Sequence, residues 1–178
     1  MSFADEDIKI YGEGMLSPGE PGDEEAAVRY VAHRKNGNME KTRQLGELLA
    51  QTLVGDASRL AEDCYKPQKL VLLSFLVSDE LSAALSDGML RQSAAAAFRR
   101  RVEELDPEIF AIITDSTAFT LYILHDRRVG DDECGRVLAE LCDQDNDQEL
   151  IQAGNALAAE YRILFRGIIT SYTFIPVE

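Results

Sequence analysis

"KPQKLVLLSFLVSDELSAALSDG", residues 66 to 88, decides the fold class. Its apolar run from Leu70 to Leu73 does not declare a period, so a buried strand and a buried helix both fit it. Two features favour the helix. Pro67 suits the first helical turn, where its missing N–H costs nothing. Ser74, Ser78, Ser82 and Ser86 recur every four residues, which is a single line along a helix. In a strand those serines would share a side with Leu70, Leu72 and Leu76, and the pattern would be wasted. Serines in line either admit a close neighbouring helix or form a solvated face, their hydroxyls bonding back to the backbone.

The segments on either side follow the same logic. From Asp23 the residues read as a helix: acids in its first turn, His33, Arg34 and Lys35 in its last, and Asn36-Gly37 as the left-handed stop. His33 thus reads as an exposed partner of the helix dipole. A second helix is predicted from about Met39 to Cys64, with Leu45, Leu49, Leu53 and Leu60 at helical spacing and Gly55 as its weak point. Asp87 or Gly88 opens a further helix stiffened by four alanines, which Pro107 closes. Arg99, Arg100 and Arg101 point some 100° apart on that helix, so they read as a solvated face. Arg99 pairs there with Glu103, and Arg100 with Glu104.

"DPEIFAIITDSTAFTLYILHDRR" is the ambiguous segment. Asp106, Pro107 and Glu108 form a helix start, yet the β-rich content allows a hairpin over residues 109–124 turning at Asp115-Ser116. The helical reading makes this the central, all-round buried helix. Gly130 and Asp131 then open a short helix with Cys134, Val137, Leu138, Leu141 and Cys142 on its apolar face. The last helix, about Asp147 to Thr170, is capped by Asn146 with Glu149 reaching back. Its predicted seam is Leu150, Gly154, Leu157, Tyr161, Leu164 and Ile168, with Asn155, Arg162, Arg166 and Thr170 opposite. The tail "SYTFIPVE" leaves it extended and is able to pair with the N-terminal "DIKIY".

The expectation is therefore an all-α protein of about six helices in a bundle or orthogonal array, with short extended segments at both ends. An α+β fold with the 109–124 hairpin is the alternative. Residues 1–22 read as an extended or flexible acidic arm and residues 23–178 as one helical domain, a length that suits a single core.

The net charge of −14 is concentrated in two places. Residues 1–25 hold eight acids and one base, and residues 126–149 hold nine acids and three bases. Such a field repels nucleic acid and anionic lipid. No run approaches the ~18 apolar residues of a membrane span, and the acidic start is unlike a signal peptide, so a soluble cytoplasmic protein is expected. Three dispersed cysteines, Cys64, Cys134 and Cys142, read as reduced thiols on apolar helix faces.

One dipeptide carries a chemical alternative. His125-Asp126 at a helix end can ligate a divalent metal, as in a helical family of phosphohydrolases that also draws on an earlier His and a later Asp. Here the earlier histidine is His33 and the later acids are Asp143, Asp145 and Asp147, in a loop. The helix dipole explains the pair without a metal: His125 sits at a helix C-terminus, and Asp126 faces Arg127 and Arg128 in a polar turn. "DQDNDQELIQAG" has an EF-loop's alternating acids, but Gln148 replaces the turn glycine and Gly154 the closing Glu. No dinucleotide fingerprint, P-loop, nucleophile elbow or HExxH is present, and no cofactor is expected. The leading expectation is a non-enzymatic protein acting through protein–protein contacts. Self-association is expected through helix faces such as that of Tyr161, Phe165 and Tyr172, alongside a partner protein of unspecified kind. A metal-dependent hydrolase using His125 and Asp126, and an acidic decoy for basic proteins, are the alternatives.

Overall fold

Caps and prolines place the helix ends in the computed structural model, which describes residues 23–60, 64–114, 118–129 and 134–177; the side chains of 23 and 125–129 lie outside that description. Eight helices and no strand occur among the described residues: α1 Asp23–Lys35, α2 Asn38–Ala57, α3 Lys66–Ala84, α4 Gly88–Leu105, α5 Pro107–Thr114, α6 Ala118–Val129, α7 Cys134–Leu141 and α8 Gln148–Thr170. The arm 1–22 and the "DIKIY" pairing fall outside the described residues.

The stretch that opened the question is helical. Pro67 stands in the first turn of α3, and ten residues of that helix are buried, from Leu70 to Leu81. α3 is the central helix. It touches α8 most extensively and also meets α2, α4, α5, α6 and α7. The 107–129 segment, expected to be central, instead forms two shorter helices, of which α5 buries only Ile109 and Ile113. Its hairpin alternative is overturned by a cap. The Asp106 side chain accepts from the Glu108 and Ile109 amides at 3.0 Å each, which commits the chain to helix before the β-rich residues begin. Phe75 of α3 stacks on Tyr122 of α6 at 5.2 Å between centroids and meets Phe119 edge-on at 5.8 Å.

α2 and α4 form the closest pair, and Gly46 is the reason. A Cβ there would fall 2.7 Å from both the Ala97 Cβ and the Phe98 nitrogen, closer than real side chains come. α2 runs through Gly55 and stops at Ala57, so the predicted extension to Cys64 is not made; Cys64 lies exposed in a turn, Cys142 is half-buried, and only Cys134 is buried. Gly37 adopts the left-handed φ of 81° that turns α1 into α2.

Asp147, not Asn146, caps α8, accepting from the Glu149 and Leu150 amides. The buried line of α8 is Leu150, Ile151, Gly154, Ala158, Tyr161, Phe165 and Ile169. It is rotated from the predicted seam, and Leu164 is exposed. A second glycine contact lies on this line. A Cβ on Gly154 would sit 2.7 Å from the Gly135 Cα, so α7 presses directly on this face, and Asn155 Oδ1 accepts from the Gly135 amide. No single helix is long and apolar enough to cross a membrane among the described residues.

Candidate functional site

The serine line of α3 reaches an open cavity of about 430 Å³ lined by residues of α3, α4, α5 and α6. Only part of the line serves it. Ser74 and Ser78 face the opening, Ser82 donates to the Ser78 carbonyl at 2.8 Å, and Ser86 lies beyond the end of α3. Val77, Leu81, Phe98, Ile113 and Phe119 supply apolar walls; Ser74, Ser78, Thr114, Thr120 and Arg99 supply polar atoms. Ser74 is only 7% exposed. Its hydroxyl makes no hydrogen bond among the described residues and opens on the cavity.

Arg99 is the correction that matters here. Arg100 approaches Glu104 at 3.8 Å and Arg101 donates to it at 2.9 Å, but Arg99 makes no ion pair or hydrogen bond among the described residues and borders the cavity instead. No His, Asp, Glu, Lys or Cys is found among the described lining residues. Apolar walls with a few convergent polar groups are the arrangement of a site that holds a small molecule.

A second hollow, of about 380 Å³, lies between α1, the α3–α4 turn and the C-terminal tail. On its floor is a polar chain built on His33, which is buried (1% exposed), contrary to its expected place in solvent. His33 Nε2 donates to Asp87 Oδ2 at 3.0 Å, and Arg29 donates to the same oxygen at 2.7 Å. On the other side Asn38 Nδ2 lies 2.9 Å from His33 Nδ1 and also donates to the Ile175 carbonyl, while Asn38 Oδ1 accepts from the Ile175 amide. That pair of backbone bonds fixes the amide's orientation, so Nδ1 is the acceptor. Asp87 Oδ1 caps α4 through the Met89 and Leu90 amides. Burial raises the Asp87 carboxyl, but the Leu90 amide, the His33 ring and the Met89 amide together outweigh it and hold the group below its ordinary range. Both ring nitrogens of His33 are thus committed. The chain ties the extended tail to α1, α2 and α4, and no nitrogen is left to act as a base.

A third polar cluster joins α3 to α8. Glu80, buried on α3, accepts two bonds from Arg166, at 2.8 and 2.9 Å, and a third from Arg162 at 3.3 Å. Arg162 also pairs with Asp79. The two arginines expected on the outer side of α8 therefore face α3.

Of the metal reading, the side chains of His125 and Asp126 lie outside the described residues. Among the described residues no three His, Cys, Asp or Glu side chains gather as a metal site would require. His33 is bound to Asp87 and Asn38, Asp143 and Asp145 are exposed, and Asp147 caps α8. The cavity residues were missed by sequence reasoning except through the serine repeat, which gave the line but not what faced it. No protein-family model matches this chain, and no curated protein or solved structure matches it either.

Proposed function

We propose that this is a non-enzymatic protein that acts through contacts with other proteins, its own copies among them. The surface first expected for that role does not serve: Tyr161 and Phe165 are buried within the chain's own core. The adjoining face of α8 supports the reading better. Ala156, Ala159, Ile163, Gly167 and Thr170 follow one another at steps of three and four, all exposed and none charged. Ile163 carries the proposal, standing 76% exposed on the longest helix. Small residues flanking a large apolar one let a second helix approach closely, and an isologous pairing buries Ile163 of both copies.

Light scattering over a dilution series tests this. The expected result is a dimer that an Ile163→Glu substitution converts to monomer with its helical circular dichroism unchanged. A monomer at every concentration, or a dimer indifferent to that substitution, rejects it.

A further inference from the structure

We infer that the cavity between α3, α4, α5 and α6 is a binding site for an amphipathic carboxylic acid, with Arg99 holding the carboxylate and Ser74 and Ser78 completing its hydrogen bonds. Three observations converge on it. The volume of about 430 Å³ is that of a small-molecule site. Its walls divide by chemistry: Phe98, Phe119, Ile113, Leu81 and Val77 suit an apolar body, and the hydroxyls with Arg99 suit a polar head. Finally, the polar atoms are unspent. The Ser74 hydroxyl, on a residue more than nine-tenths buried, and the Arg99 guanidinium have no hydrogen-bond partner among the described residues. Donors left open on the wall of a cavity are available to a ligand's oxygens.

Charge selects the head group. One arginine and neutral hydroxyls balance a monoanion, and the guanidinium fork matches a carboxylate with two parallel bonds. A dianion would leave a charge uncompensated inside a protein of net charge −14. The proposal is independent of self-association, since α8 contributes nothing to the described lining.

Calorimetric titration of the full chain with decanoate, below its micelle threshold, tests the site. Decyl phosphate and decyltrimethylammonium carry the same tail under other charges. Saturable binding of one decanoate per chain is expected, with decyl phosphate weaker and the ammonium compound weaker still. Arg99→Gln, an exposed helical position that leaves the fold intact, is expected to weaken decanoate at least tenfold. Ala95→Phe fills the cavity from α4 and is expected to abolish binding. Absence of saturable binding overturns the proposal, as does equal affinity for the cationic analogue or an unchanged affinity in Arg99→Gln. Tighter binding of decyl phosphate overturns the carboxylate assignment.

Discussion

Asp87 performs three tasks with one carboxylate: it caps α4, pairs with Arg29 and orients the His33 ring. Its pKa is lowered on folding, so the unfolded chain takes up the proton at higher pH than the native one does. The contribution is whole above the ordinary value of 3.8 and is lost as pH falls through the lower folded value. Asp87→Asn retains a capping side chain but discards the charge. Urea unfolding at neutral pH is expected to show a loss of about 1–2 kcal/mol for this variant, the scale of charged hydrogen bonds. Below the folded-state pKa the variant and the parent chain are expected to converge. A difference that persists undiminished in acid would assign the loss to shape instead of charge. The capping part of this site was legible, because Asp before Gly88 and an apolar run is a local signal. The burial of His33 was not, since its neighbours come from α2 and the α3–α4 turn.

At the level of elements, glycines decide how close helices come. Gly46 and Gly55 sit nine residues apart on α2, and their surroundings differ completely. Gly46→Ala drives a methyl into the α4 backbone, where helix and neighbour are both rigid, so a loss of about 1–3 kcal/mol is expected. At Gly55 an added Cβ meets nothing within 4 Å. Gly55→Ala is expected to stabilise by about 0.5–1 kcal/mol, because alanine restricts the unfolded chain and favours the helix. Thermal melts of the two variants check both signs, and melting shifts of the same sign would place the α2–α4 contact elsewhere. Sequence reasoning marked Gly55 as the fragile position. It had no means of seeing that Gly46 is the constrained one, since a glycine's partner is set by packing.

Across the whole molecule, α3 and α8 are joined by apolar packing and by the Glu80 cluster. Taking Glu80 away removes three charged hydrogen bonds between α3 and α8, while Arg162 keeps its pairing with Asp79. Glu80→Ala is accordingly expected to cost about 1.5–3 kcal/mol, the scale of hydrogen bonds to a charged group. Breaking the exposed Arg100–Glu104 pair on α4 is expected to cost less than about 1 kcal/mol. Denaturant midpoints for Glu80→Ala and Glu104→Ala make the comparison, and equal losses would show the α3–α8 cluster to be no stronger than a surface pair.

By itself the sequence determined that this protein is helical and roughly where its helices start. Caps, prolines, serine spacing and apolar period all act within a few residues of chain, so they can be read in order. Tertiary structure alone decided which side of each helix is covered. α8 carries apolar residues on more than one face, and packing against its neighbours put Phe165 and Ile169 in the core while leaving Ile163 in solvent. Likewise Arg99, identical in local signal to Arg100 and Arg101, faces a cavity only because α3, α5 and α6 line one beside it. Burial depends on elements far apart in the chain, and no local pattern reports their positions.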